Sequence, residues 1–491
     1  MGANEFAKLP HIGESVRRVE DLRFITGTGN YVDDVTEVNQ KYARFLRSPH
    51  AHAVIQSVDT SAASAMPGVI GIATGKDIEG KVGGLPCGWL ISNPDGSPMA
   101  EPMHPFIAIG KVRYVGEGVA MVVAATQEQA RDAAEAVQVD YEPLQAVVDM
   151  RTARDGPALH DEAPDNRCYK WVLGDKAAVD ATFAGAAHVT RLELVNQRLI
   201  PNAMEPRAAN ASHNRASDET TLYVTSQNPH VARLLMAAFV LQLPEHKIRV
   251  VAPDVGGGFG SKINPYPEEI MITWAAKHLG CPIKWTAERS ESFLTDTHAR
   301  DHLTHVEMAM DQDGRFLAMR MHTHANLGAY LGLFSPALPT ILQGTLLAGC
   351  YTTPQIYVEV DAWFTNTAPV DSYRGVGRAE ASYLLERLVS RCAWDMGLAQ
   401  DEIRRRNHIT EFPYQTPVAL LYDSGDFGKI LDEANELADV AGFAARRKAS
   451  EAKGLMRGMG YSSHIENSGL APSEITGALG GRAGLFESGE V

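Results

Sequence analysis

Residues 250–262 read VVAPDVGGGFGSK, a β-prone run that drives directly into a loop with four glycines. Glycine at such positions lets backbone approach a neighbour or a ligand closely, and it leaves N–H groups available to an anion. A strand must therefore end at this loop, and regular structure can resume only beyond it. Two nucleotide-binding readings fail on spacing. A Walker A loop needs Gly directly before Lys262 and meets Ser261; a dinucleotide GxGxxG starting at Gly256 or Gly258 meets Ser261 or Ile263 where it needs its third glycine. A tight turn with packing glycines stays open as the structural alternative.

Around the loop the chain alternates strand and helix signals. Residues 119–124 form a compact apolar run, Thr126 and Gln129 write a capping box for a helix through Ala136, and a strand follows at 137–141. This predicts a small mixed α/β unit closed by the polar, Pro-containing stretch 151–167. Next come a strand at 220–226 and a helix to Leu241, with Asn228 as N-cap and Pro229 as first helical residue. The strand 247–252 feeds the glycine loop, a helix spans 267–279 and stops at Gly280, and a strand follows at 282–287. A turn at 311–314 joins alternating runs into a hairpin. A long helix is predicted over 378–396, its buried stripe formed by Leu384, Leu385, Leu388, Val389 and Cys392. Another spans 427–438, and 446–453 reads as an exposed helix end or linker. Residues 458–465 read as the opening strand of a further domain that the chain does not finish.

Composition removes several function classes. A net charge of −15 opposes binding to a phosphate backbone, so nucleic acid is not an expected partner. Arg404, Arg405 and Arg406 read as a solvated helix face beside Asp401 and Glu402. The five cysteines are too scattered for a zinc knuckle or an iron–sulfur cluster, and they suit reduced thiols in a cytoplasmic protein. The first residues lack an export pattern, and the apolar stretch 336–348 is broken by Pro339, Gln343 and Gly344, so no membrane insertion is expected.

Two more segments carry chemistry. In residues 370–381, VDSYRGVGRAEA, Arg374 precedes two glycines and a helix start, where a guanidinium can fork an oxyanion or a carbonyl; an interdomain salt bridge explains it equally well. In residues 225–230, TSQNPH, Gln227 sits at a strand-to-helix corner, where its amide can cap the helix or donate to an oxygen ligand.

Taken together, in this order, the three segments resemble the xanthine dehydrogenase and aldehyde oxidase family of molybdenum hydroxylases. The opening residues 12–35, the stretch 112–124 (VRYVGEGVAMVVA) and residues 204–207 (MEPR) extend the resemblance over nearly the whole chain. It implies an α+β fold: a small α/β hammerhead-like domain within 1–150, a larger mixed α+β molybdopterin-binding domain over 151–425, and an incomplete third domain, the start of a second molybdopterin-binding domain, over 426–491. It also implies an oxidoreductase that hydroxylates carbon with water as oxygen source. Gln227 and Arg374 would be the catalytic residues, and Gln227, Gly257, Gly258, Phe259, Gly260 and Arg374 would bind the cofactor. The metal would be held by the dithiolene of molybdopterin, or of its cytosine dinucleotide, and by no side chain. Iron–sulfur clusters and FAD would sit on partner subunits.

Departures from the family pattern narrow the expectation. Carbon monoxide dehydrogenases of the family place a cysteine in the loop that here reads Tyr373, Arg374, Gly375, Val376, Gly377, and purine hydroxylases carry a glutamate where Ile263 stands. An aldehyde or a less polar N-heterocycle is therefore the expected substrate. The family's general-base glutamate has no counterpart; Glu487 and Glu490 near the end do not match it. The chain is accordingly expected to need a separate chain to complete the site, or to be a truncated, non-catalytic fragment serving as a subunit interface. A nucleotide-binding enzyme built on the glycine loop is the third reading.

Overall fold

A computed structural model describes residues 14–466 and 472–482; Glu487 and Glu490 lie outside them. The first region contributes β1 (Lys41–Arg47), β2 (Ala53–Asp59), β3 (Val69–Thr74), β4 (Lys111–Val112), β5 (Gly118–Ala124) and β6 (Gln138–Pro143). All seven residues of β5 are buried, which is why that strand reads as an unbroken apolar run with no alternation. Helix α1 (Gln127–Ala136) starts where the Thr126 hydroxyl accepts the Gln129 N–H at 3.2 Å, and it lays Ala133 and Ala134 against Ala120 and Val122 of β5. Strands β4, β2 and β6 form a small sheet of their own.

The chain continues through β7 (Arg167–Leu173), α2 (Lys176–Gly185), β8 (His188–Asn196), β9 (Ala208–Asn214), β10 (Glu219–Val224), α3 (Pro229–Leu235), β11 (Ile248–Val251), α4 (Pro267–Leu279) and β12 (Ile283–Thr286). Strands β11, β10, β9, β12, β1, β5 and β3 lie side by side in that order, so one seven-stranded sheet draws strands from both sides of residue 150. The join is β1 against β12, parallel, with Lys41 opposite Ile283. The glycine loop leaves the edge of this sheet, from the end of β11.

A second sheet, ordered β7, β15 (Gln355–Phe364), β14 (Phe316–Gly328), β13 (His302–Met310) and β8, is antiparallel except for the parallel pair β14 and β15. Helix α5 (Arg378–Met396) packs on one face of it. All five stripe residues predicted from periodicity are buried there, in one core with Met308, Met319 and Val358. No described helix is long and apolar enough to cross a membrane.

Three sequence expectations are corrected. Asn228 does stand at the N-cap of α3, yet its side chain makes no capping bond; its own N–H instead donates to the Ser226 hydroxyl at 3.0 Å, and the helix widens into a π-helical segment over Met236–Leu241. Arg404, on α6 (Gln400–Asn407), is fully buried. The crossing of α6 beneath α5 places its guanidinium 2.8 Å from Glu386, and only Arg405 and Arg406 stay at the surface. Residues 458–465 form no strand, because their backbone serves that buried pair: the Tyr461 carbonyl accepts from Arg404 and the Ser463 N–H donates to Glu386 at 2.8 Å. The helix Phe427–Leu437 and an exposed helix, Phe443–Glu451, stand where the sequence places them.

Candidate functional site

The glycine loop is clamped from beneath by residues of the MEPR segment. Lys262 is buried, and its ammonium donates at 2.9 Å to both the backbone carbonyl and the carboxylate of Glu205. The same carboxylate oxygen accepts the Gly256 N–H at 2.7 Å, so one acidic side chain ties together the two ends of the loop. Burial lowers the Lys262 pKa, and the Glu205 charge counters it. Arg207, with no exposed surface, bonds to Glu268 at 2.7 Å, Asp296 at 2.5 Å and Thr295 at 2.8 Å, and lies 3.7 Å over the Tyr266 ring. Burial alone would raise the pKa of Glu268, but the charges of Arg207 and Arg47 overcome it and hold this carboxyl down to about 2. The loop and the first turn of α4 thus rest on a fixed ionic base. MEPR was legible only as part of a pattern; nothing in its spacing foretold this contact.

Gln227 reaches the loop from the corner between β10 and α3. Its N–H donates to the Lys262 carbonyl at 2.8 Å, and its side-chain oxygen accepts the Gly260 N–H at 2.8 Å. It does not cap α3, and its oxygen is committed, so its NH2 group is left as a donor. Arg374 comes from the other side, in the turn before α5, and its N–H donates to the Phe259 carbonyl at 2.9 Å. Its exposed guanidinium has no partner among the described residues.

The structure therefore brings Gln227, Gly257, Gly258, Phe259, Gly260 and Arg374 to one open cleft of about 490 Å³, completed by Val255, Ile263 and Val376. Phe259 and Val376 both hold positive φ, 55° and 39°, in a region costly for residues with a Cβ and unusual for valine, and both line the cleft. The glycines answer first to packing. A Cβ on Gly258 would stand 2.3 Å from the Gln227 side-chain oxygen, and one on Gly260, at φ +107°, would stand 2.5 Å from the Ser372 carbonyl.

The chemistry of the lining is one-sided. The N–H groups of Gly257, Gly258 and Phe259 have no acceptor among the described residues, and they join the Gln227 NH2 and the Arg374 guanidinium as unclaimed donors. No carboxylate lines the cleft. Such a set fits an oxygen-rich, electron-rich group bound against apolar walls, and it offers no side chain that would ligate a bare metal ion.

Residues 26–145 match the aldehyde oxidase and xanthine dehydrogenase a/b hammerhead domain, and residues 159–408 match the molybdopterin cofactor-binding domain. The chain is 35% identical to the carbon monoxide dehydrogenase large chain of Afipia carboxidovorans, covering 100% of this sequence and 62% of that one. It is 34% identical to the nicotine 6-hydroxylase large subunit of Paenarthrobacter nicotinovorans, covering 95% of this sequence and 56% of that one. Quinoline 2-oxidoreductase from Pseudomonas putida 86 superposes with a TM-score of 0.85 at 34% identity, over 90% of this chain and 56% of that one. The chain thus spans little more than half the length of these relatives.

Proposed function

This chain belongs to the xanthine dehydrogenase and aldehyde oxidase family of molybdopterin-binding oxidoreductases, and on that premise we propose that its cleft is one wall of a molybdenum-cofactor site hydroxylating an aldehyde or N-heterocycle with water as oxygen source. The observation that carries the reading is the convergence of Gln227, the loop around Phe259 and Arg374 on a single cleft lined by donors. Gly257, Gly258, Phe259 and Gly260 would hold the cofactor with backbone amides. Bound there, the molybdenum held by the pterin would supply the two-electron redox chemistry. The Gln227 NH2 would donate to an oxygen ligand, and the Arg374 guanidinium would orient the substrate's oxygen or ring nitrogen. Fixed donors of this kind contribute about 3 kcal/mol each to transition-state stabilisation.

The named relatives that act on nicotine and quinoline support a heterocycle, as do the apolar walls Val255, Ile263 and Val376. The loop 373–377 carries no thiol, which weighs against carbon monoxide. Because no carboxylate lines the cleft, the proton acceptor for the attacking water would come from another chain or from residues outside the cleft. Partner subunits bearing iron–sulfur clusters and FAD would take the electrons onward in a cytoplasmic complex. The hammerhead-like domain would lie within 1–150, the first molybdopterin-binding domain would span 151–425, and 426–491 would begin a second.

Molybdenum and pterin analysis of the chain, purified alone and with its co-expressed genomic neighbours, tests this. Stoichiometric molybdenum in the complex is the expected result. Neither molybdenum nor pterin in either sample would leave only a non-catalytic interface role.

A further inference from the structure

The second sheet carries an independent cluster. Alternation along β14 turns Met319, Met321 and Ala325 into the core, and it turns His322 and His324 to the opposite face. Asp361, on the parallel neighbour β15, is in register with His324 and comes up on the same side. Helix α2 covers the other end of that face, where Val179 meets Ala309, Ala318 and Tyr357, and leaves the histidines partly open.

We propose that His322, His324 and Asp361 form a binding site for a divalent first-row transition cation of the zinc type, separate from the molybdenum cleft. One ligand atom from each residue lies within 4.8 Å of the others. The His322 Nε2 stands 2.8 Å from Asp361 Oδ2, and the two imidazole rings are 4.5 Å apart. Ligands at zinc bond lengths of roughly 2.0–2.1 Å sit about 3.4 Å from one another, so a cation needs only small movements of side chains held on rigid central strands. The His324 Nδ1 accepts the Trp363 N–H at 3.2 Å, so the neutral ring carries its proton on the other nitrogen, and a cation must displace either that proton or the Trp363 bond. Two imidazoles and a carboxylate with room for water make an open, three-ligand site. Glu359, 3.8 Å from His322 Nε2, is within reach as a fourth donor if Lys170 releases it.

The test is titration of the untagged, chelator-treated full chain with cobalt(II), read by its visible ligand-field absorption, followed by zinc competition. One equivalent of cobalt, displaced by one of zinc, is expected. Losing a mere outer-shell partner weakens metal sites by about 10- to 100-fold, so His322→Ala and His324→Ala should each weaken binding at least tenfold. Zinc should also raise the melting temperature of the parent chain and leave that of the variants unmoved. If either variant misfolds by circular dichroism, Asp361→Asn takes its place. No cobalt band in the parent, or an unchanged band in the folded variants, overturns the site.

Discussion

The side-chain oxygen of Gln227 and the backbone N–H of Gly260 are joined at 2.8 Å, across 33 residues of sequence, so the glycine loop takes its shape from a residue on another corner of the sheet. Gly258 is packed against that same side chain.

Gly258→Ala and Gly260→Ala should consequently fail in different ways. The new methyl at 258 meets only the movable end of Gln227, so it should cost less than about 1.5 kcal/mol while displacing the amide and lowering molybdenum retention. At 260 it meets the Ser372 carbonyl and an unfavourable φ, and it should cost about 3 kcal/mol. Denaturant midpoints set beside metal content distinguish the two; equal stability losses would contradict the packing described.

Arg374→Met removes a guanidinium that no described residue partners, so unfolding should move by less than about 0.5 kcal/mol. Turnover of the assembled enzyme should drop on the order of 100-fold. Parent-like turnover would take Arg374 out of the site.

Glu205→Ala leaves the buried Lys262 ammonium uncompensated and frees the Gly256 N–H, a loss of about 3–5 kcal/mol. Adding Lys262→Met removes the stranded charge and should recover at least about 1 kcal/mol of it. Urea denaturation of the single and double variants reads the difference, and a double variant no more stable than the single would show that the pair is not what clamps the loop.

Two buried carboxyls make stability pH-dependent on the alkaline side. Burial pushes Glu117 up to about 7, against the opposing Arg113 N–H and Tyr330 hydroxyl, and pushes Glu269 up to about 8. A raised folded-state pKa means that the native chain binds more protons than the unfolded one, so this contribution is complete below the unfolded value and is lost as pH rises toward the folded one. Histidines whose folded-state pKa is lowered by burial, His104, His160, His302 and His408 among them, oppose this until the unfolded chain has lost their protons, so the carboxyl contribution is read as the difference between the parent and a Glu117→Gln variant. The stability of the parent relative to Glu117→Gln should fall as pH rises from about 4.5 to about 7; a relative stability that stays level or climbs over this interval would refute the assignment.

What the sequence determined by itself was local. The α1 cap at Thr126, the stop of α4 at Gly280 and the stripe of α5 depend on groups a few residues apart, whose chemistry is complete within one turn of chain. The order of the three motifs carried the family resemblance and named the residues of the cleft. Only the tertiary structure decided that these residues meet, because the bonds from Lys262 to Gln227 and from Phe259 to Arg374 join segments 35 to 115 positions apart, a matter of sheet order that no local pattern encodes. The same holds for Arg404, whose charged neighbours read as solvent until α6 crosses α5, and for residues 458–465, whose extended backbone has its polar groups claimed by a buried ion pair. Strand pairing and burial are decided by what lies alongside, and neighbours in space are fixed only when the whole chain has folded.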